Sequence, residues 1–176
     1  MLPDAFRTAR LTLRPIALED AAPIFDGYAQ DGEVTRFLSW RPHKSREETV
    51  AYVTGRMAAP AERLRTYVLL GREDGKVRGA FDLRRPVPHA LGCDYVLARA
   101  WWGQGLMTEA LAEIARWALG QGTIWRIGAV CVVENRASAR VMEKAGLSRE
   151  GILRRWAVCP NISAEPRDCL SYARVR

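Results

Sequence analysis

The chain has 176 residues, of which 48% are hydrophobic and 27% charged, and its formal net charge at pH 7 is +7. These values fit one folded domain over residues 1–176 and exclude a disordered or fibrous protein. No apolar run approaches the roughly 20 residues that a membrane-spanning helix needs, and the N-terminus lacks the apolar region of a signal peptide, so we expect a cytoplasmic protein without a membrane partner.

The first third of the chain predicts one strand and two helices. Residues 10–16 alternate between apolar and polar side chains, which is typical of a strand, and Pro15 should limit that strand to an edge or an end. A helix is predicted over residues 18–28. Ser45 and Glu48 have the spacing of a capping box, so a second helix should begin there and run to about Arg63.

The rest of the chain alternates strands with turns and helices. Strands are predicted over residues 66–70, 76–83, 93–97, 125–133, 147–158 and 168–173. Residues 73–75 and 86–89 read as a hairpin turn and a loop, and residues 107–119 and 137–144 read as helices. We therefore predict a mixed α/β fold with one central, mostly antiparallel, twisted sheet and about four flanking helices.

A glycine-rich segment lies between the strand at 93–97 and the helix at 107–119. Gly103 and Gly105 would let backbone N–H groups approach a ligand closely. The helix that follows presents unpaired N–H donors and a partial positive charge at its N-terminus. Together these features are typical of a pyrophosphate-binding loop, although two glycines before a helix are common, and no Walker motif follows.

Three segments resemble the GNAT acetyltransferase superfamily, and within it the branch that acetylates the N-termini of ribosomal proteins. They are YVLA at 95–98, WWGQGLMTEAL at 101–111 and ENRASARVMEKAGLSREG at 134–151. Their order and spacing match along nearly the whole chain. The resemblance implies a single GNAT-like domain whose sheet is splayed at the cofactor site, and it implies that acetyl-CoA is the cosubstrate.

The resemblance also implies the cofactor-binding residues. The pantetheine arm would pair with the strand at Tyr95, Val96 and Leu97, with the backbone N–H near Val96 or Leu97 as donor to the thioester carbonyl. The pyrophosphate would lie on the loop formed by Trp102, Gly103, Gln104, Gly105, Leu106, Met107 and Thr108. Trp102 and Met107 depart from the usual family residues, so the loop donors should be mainly backbone groups.

Asn135 and Ser138 complete the implied cofactor site. Asn135 would bind a pantetheine amide, and Ser138 would donate to the departing thiolate as a catalytic and cofactor-binding residue. Each side chain also has an ordinary structural interpretation, since Asn135 suits a turn and Ser138 suits the start of a helix.

The general base is less well defined by the sequence. Some relatives of this branch carry a glutamate where this chain has Ala157, and the position often held by glutamate on the neighbouring strand is Gly92. Asp94 stands where relatives often have glycine, and Glu150 is another carboxylate nearby. We expect Asp94, acting through water, to be the catalytic base.

The missing glutamate bears on the acceptor amine. An α-amine has a pKa of about 7.7–8.0 and lysine one of about 10.4, so neutralising them at pH 7 costs about 1 and about 4–5 kcal/mol respectively. A weak base therefore favours an N-terminal α-amine, which could belong to a ribosomal or another protein.

The predicted lining of the acceptor pocket is Trp40, Arg41 and His43, with Tyr172 and Arg155 as further candidates.

Three other interpretations stay open at this level. The chain could acetylate a small amine such as an amino acid, an antibiotic or a polyamine, or it could bind CoA without catalysis. An RNA-binding role would depend on charge alone, and no nucleic-acid motif is present, so direct nucleic-acid binding is not predicted.

The four cysteines form no CxxC pair and only two histidines occur, so no metal site is expected. The protein could be a monomer or a homodimer.

Overall fold

The computed structural model describes residues 2–176, and eight strands within them form one mixed sheet. The strands are β1 (Phe6–Arg7), β2 (Leu11–Pro15), β3 (Leu64–Gly71), β4 (Val77–Val87), β5 (Ala90–Leu97), β6 (Arg126–Val132), β7 (Ser148–Ala157) and β8 (Arg167–Val175). Their order across the sheet is β1-β2-β3-β4-β5-β6-β8-β7. Every neighbouring pair is antiparallel except β5 and β6, which are parallel. The predicted fold class is confirmed.

Five α-helices cover the two faces of this sheet. They are α1 (Ala21–Ile24), α2 (Gly32–Thr35), α3 (Arg46–Met57), α4 (Leu106–Gly120) and α5 (Arg136–Lys144). One face buries apolar side chains of the sheet against α4 and α5, and the other buries a smaller apolar cluster against the segment from α1 to α3. Among the described residues, no helix is both long and apolar enough to cross a membrane.

The helix predicted over residues 18–28 is continuous but changes its winding along its length. A 3-10 turn over Leu18–Asp20 leads into α1, and a π-helical turn over Phe25–Ala29 follows. The buried Asp20 carboxylate accepts a hydrogen bond from the Ala17 N–H and a bidentate pair from Arg14, each at 2.8–2.9 Å. This interaction attaches the start of the helical segment to β2.

Three predicted boundaries are wrong, one of them the start of β5, which begins at Ala90 rather than at residue 93. Helix α3 begins after Ser45, whose hydroxyl accepts from the Glu48 N–H, but it ends at Met57 rather than near Arg63. Pro60 explains the early end, because proline disfavours a helical conformation in the residue before it and cannot donate to the helix. The segment 86–89 is also not a whole loop: β4 continues through Val87, and a bulge after Arg84 accommodates the proline at 86.

The close approach of β4 to β5 depends on a glycine. A Cβ at Gly79 would lie 2.1 Å from the main-chain oxygen of Val96, a contact that neither strand can relieve by rotating a side chain. Gly79 is opposite Leu97, the last residue of β5. The glycine therefore lets β4 hold the end of β5 in place.

We predict that Gly79→Ala lowers the free energy of unfolding by about 1–3 kcal/mol, the usual cost of overpacking. Gly55→Ala is the matched control, because a Cβ there meets nothing within 4 Å and the residue lies in the exposed part of α3. That control should be neutral or stabilising by about 0.5–1 kcal/mol. Urea denaturation of both variants measures the difference, and equal stability of Gly79→Ala and the unmodified protein would contradict it.

Candidate functional site

The two parallel strands at the centre of the sheet separate after a short paired stretch. Their ladder ends at Gly92 on β5 and Gly128 on β6. Beyond that point β5 stays with β4 as far as Leu97, and β6 stays with β8 as far as Val132. A gap therefore opens in the middle of the sheet, as expected for the splayed site.

The edge of β5 that faces the gap carries unpaired backbone groups. The Ala98 N–H donates to the Arg78 oxygen of β4 at 2.8 Å. Because successive residues of a strand point to opposite edges, the N–H groups of Tyr95 and Leu97 point to the gap and that of Val96 points to β4. The available donors are thus those of Tyr95 and Leu97, which removes Val96 as the candidate donor.

The segment that follows β5 exposes a row of N–H groups. Gly103 and Gly105 have φ angles of +73° and +75°, the left-handed region that favours glycine. Among the described residues, no main-chain oxygen accepts a hydrogen bond from the N–H groups of residues 103–108. Nearby, the Trp102 indole donates to the Leu97 oxygen at 2.7 Å. The loop and the first turn of α4 therefore present several free donors in one region, which suits an anionic ligand.

Two arginines from other parts of the chain hold this loop. Arg10 donates from Nη1 to the Gln104 oxygen at 2.9 Å, and its Nε and backbone N–H both donate to the Glu109 carboxylate at 2.7 and 2.8 Å. Arg78 places its guanidinium 3.2 Å from the centre of the Trp101 ring. The loop is thus attached on both sides by contacts remote in sequence.

Asn135 and Ser138 lie on the other side of the gap, at the start of α5. The Asn135 Oδ1 accepts from the Ser138 N–H at 3.1 Å, so this side chain caps the helix. The Ser138 hydroxyl lies 2.9 Å from the Tyr95 hydroxyl. Burial raises the pKa of Tyr95, which keeps this phenol protonated and able to donate at neutral pH. The structure therefore brings two hydroxyl groups together across the gap.

A cavity of about 550 Å³ connects the gap with the face covered by α1 to α3. The predicted residues Tyr95, Val96, Asn135 and Ser138 line it. Its other walls carry two aspartates, three arginines and several aromatic side chains, among them Asp82, Asp94, Arg56, Arg84, Arg126, Trp40, Tyr52 and Trp156.

Asp94 lies in a four-charge cluster within this cavity. It is the cross-strand partner of Asp82, and its Oδ2 lies 2.6 Å from Nη2 of Arg84. Asp82 pairs with Arg56 at 3.0 Å. Burial raises the pKa of Asp94 above its ordinary value, Arg84 and Arg56 oppose that rise, and Asp82 reinforces it. Asp94 is thus an arginine-paired carboxylate that faces the cavity, with about half of its side chain exposed to solvent.

The predicted acceptor residues divide between the cavity and its surroundings. Trp40 lines the cavity as expected. Arg41 is exposed and does not line it. His43 lies behind Trp40, with the two ring centres 4.9 Å apart, and its Nδ1 bonds to the Thr49 hydroxyl at 2.8 Å. Arg41 and His43 therefore lie outside the lining of this cavity.

The remaining candidates divide in the same way. Ala157 and Tyr172 line the cavity, so no carboxylate stands where some relatives have a glutamate. Glu150 is exposed and paired with Arg126. Arg155 pairs with a surface glutamate and does not line the cavity, which removes it from the acceptor wall.

The sequence did not predict several cavity residues, among them Tyr52, Asp82 and Trp156 and the arginines that pair with the two aspartates, Arg56 and Arg84. One signal was available, since Asp82 is a carboxylate in the otherwise apolar stretch 79–83, where a charge needs a partner. Nothing in the local pattern distinguished Tyr52 or Trp156 from other aromatic residues. Among residues 2–176, no group of three or more His, Cys, Asp or Glu side chains could hold a metal ion.

Comparison with known proteins adds the family. The model of the acetyltransferase (GNAT) domain matches residues 10–148. The uncharacterized N-acetyltransferase YoaA of Bacillus subtilis is 26% identical over 164 residues, with 85% of each chain covered.

Two solved acetyltransferase structures have the same fold. RimL, a ribosomal L7/L12 α-N-protein acetyltransferase solved with coenzyme A, has a TM-score of 0.84 at 21% identity, covering 97% of both chains. The microcin C7 self-immunity acetyltransferase MccE, solved with acetyl-CoA and AMP, has a TM-score of 0.87 at 19% identity, covering 99% of this chain and 97% of the other. At these identities the two structures show the fold alone.

Proposed function

This chain belongs to the GNAT acetyltransferase family, and we propose that it transfers an acetyl group from acetyl-CoA to the α-amine of a protein or peptide N-terminus. One observation carries the proposal: a single cavity is lined both by Tyr95, whose N–H faces the gap between β5 and β6, and by the carboxylate of Asp94. RimL, which has the same fold, is an acetyltransferase of a protein N-terminus.

The residues of the loop and gap fit the cosubstrate. A pyrophosphate needs several convergent donors and no opposing side chain, and the left-handed Gly103 and Gly105 leave the N–H groups of residues 103–108 free. A pantetheine arm needs unpaired backbone groups of an extended strand, which Tyr95 and Leu97 offer. Asn135 would hold an amide of that arm through its Nδ2, because its Oδ1 is occupied in capping α5.

The chain's own groups surround the reacting atoms in complementary roles. Bound acetyl-CoA would supply the acetyl thioester. The Leu97 N–H would donate to the carbonyl oxygen, and the Ser138 hydroxyl, supported by Tyr95, would donate a hydrogen bond to the sulfur. Asp94 would accept, through water, the proton that the acceptor ammonium must lose.

The strength of this base favours an α-amine over lysine. Asp94 has a raised pKa, but Arg84 at 2.6 Å limits the rise. Neutralising an α-amine at pH 7 costs about 1 kcal/mol, against about 4–5 kcal/mol for lysine. An acceptor that needs little help from the protein therefore suits this site.

A small-molecule acceptor is the second candidate, and one feature favours it. MccE, with the same fold, was solved with AMP, and the cavity of this chain carries the ring systems of Trp40, Tyr52 and Trp156, which could contact a planar group. The net charge of +7 opposes polycationic acceptors.

An acceptor panel tests the proposed function. We expect a lysine-free decapeptide with a free N-terminal serine to react with a kcat/KM at least about tenfold above that of its N-formylated, lysine-containing counterpart, because the α-amine is the weaker base. Release of CoA thiol in the presence of acetyl-CoA measures the rates. Spermidine, a free amino acid and an amine-bearing nucleotide complete the panel. Preference for any of these over the free-N-terminus peptide would overturn the proposal.

The support of the loop by Arg10 predicts a cofactor-binding defect. Arg10→Ala removes the side-chain bonds to the Gln104 oxygen and the Glu109 carboxylate, and we expect it to raise the Kd for coenzyme A about tenfold, the effect of losing roughly 1.4 kcal/mol. Isothermal titration calorimetry measures the change. Arg7→Ala, an exposed arginine three residues earlier, is the control and should bind coenzyme A normally. Equal affinities of both variants would exclude the role of Arg10.

The role of Asp94 predicts the pH dependence of kcat. If Asp94 must be ionised, kcat rises with pH through the pKa of Asp94. This rising limb of the pH–rate profile should disappear in Asp94→Asn. Arg84→Gln removes a cation that lowers the Asp94 pKa, so the limb should move to higher pH. Ser138→Ala should lower kcat about tenfold without moving the limb. The same peptide is used throughout, so its amine titrates identically. An unshifted limb in Arg84→Gln would remove Asp94 from the mechanism.

A further inference from the structure

Two segments far apart in sequence form the outer wall of the cavity. One runs from residue 35, at the end of α2, to residue 40, and the other runs from residue 156, at the end of β7, to residue 161. Residues 37–40 of the first and residues 156–159 of the second line the cavity. Both lie on the side of the cavity remote from the glycine loop. We call them the first and second wall segments.

A single side-chain amide joins the two wall segments. The Nδ2 of Asn161, just beyond β7, donates to the oxygen of Thr35 at 2.7 Å and to the oxygen of Trp40 at 2.8 Å. Both amide hydrogens are thereby used, one at each end of the first wall segment. A weaker contact supports the link, since the Cys159 thiol lies 3.5 Å from the Phe37 oxygen.

The first wall segment has little other attachment to the rest of the protein. The Phe37 side chain packs against a small buried cluster that includes Val132, Cys159 and Cys169. The Trp40 ring contacts His43 and Tyr52, with ring centres 4.9 and 6.1 Å away. Among the described residues, the main chain of residues 36–40 is held by the Leu38 N–H bond to the Thr35 oxygen, by Asn161 at the Trp40 oxygen, and by the weaker contact of the Cys159 thiol with the Phe37 oxygen.

The second wall segment is shaped by a bulge. Arg155 is the one non-glycine residue among those described with a positive φ, +47°, and its N–H donates to the Asp168 carboxylate at 2.9 Å. This bulge is followed by Trp156, which lines the cavity although 60% of its surface is exposed. The wall segments that carry Trp40 and Trp156 are therefore linked by the two hydrogen bonds of the Asn161 amide and by the packing of Phe37 against Cys159.

We propose that Asn161 is a positioning residue for the acceptor, which sets the width of the acceptor end of the cavity by joining the two wall segments. This inference depends on the proposed acyl transfer, and it concerns acceptor binding alone. The glycine loop, Arg10 and the N–H groups that face the gap make no contact with Asn161. Loss of the amide should therefore affect the acceptor and spare the cofactor.

The test is Asn161→Asp, which keeps the size of the side chain but replaces the two N–H donors with an acceptor facing two carbonyl oxygens. We expect the KM for the free-N-terminus decapeptide to rise at least about tenfold, with kcat and the KM for acetyl-CoA within about twofold of the unmodified protein. Asn161→Ser retains one short donor, so its KM for the decapeptide should lie between those of Asn161→Asp and the unmodified protein. Gln121→Glu is the matched control, since it makes the same amide-to-acid change at a side chain that donates to the Trp117 oxygen outside the cavity.

Hydrogen exchange provides a readout that needs no acceptor. Amides of residues 36–44 should exchange faster in Asn161→Asp, and those of residues 102–109 should not. Unchanged exchange in residues 36–44 would overturn the inference. So would a fall in kcat and a rise in the KM for acetyl-CoA as large as the rise in the KM for the peptide. A protein that acetylates no peptide but shows the exchange difference would contradict the proposed acceptor while retaining the link made by Asn161.

Discussion

The separation of β5 from β6 is the constraint on which the rest of this structure depends. The two strands pair only as far as Gly92 and Gly128, after which each follows its other neighbour. A sheet interrupted in this way leaves backbone N–H and C=O groups without partners in the middle of the protein, which is costly unless a ligand or another group uses them. One such group, the Leu97 oxygen, is already bonded by the Trp102 indole. The others make this gap the natural place for an extended ligand.

The gap also explains why the two faces of the sheet differ in character. The face under α4 and α5 is apolar and supports the glycine loop at the start of α4. The opposite face carries Asp82 and Asp94 with their arginine partners, next to aromatic side chains. Because the cavity passes through the sheet, a donor bound at one face and an amine bound at the other can meet without either crossing the core.

Local pattern was sufficient for most of the fold. The alternation of strands, the capping serine of α3 and the glycine loop all lie where the sequence predicts them. Two errors arose where proline acts in a tertiary setting: Pro60 ends α3 early, and Pro86 is tolerated inside β4 because a bulge lies at the end of that hairpin. The short elements β1 and α2 were not predicted, and β5 begins at Ala90 rather than at residue 93. Arg41 and His43 were chosen from their place in a loop, and a loop's direction depends on what it packs against.

The sequence by itself determined the family, the glycine loop and the residues at each end of the gap, because these features depend on backbone conformation and on spacing within short segments. Only the tertiary structure decided which side chains meet across long separations: Arg10 with Glu109, Asp94 with Arg84, and Asn161 with Trp40. Such contacts depend on strand register and on how loops pack, and neither leaves a periodic trace in the chain. The end of the cavity that is proposed to bind the acceptor depends on the contacts of Asp94 and Asn161, so it could not be predicted from local pattern.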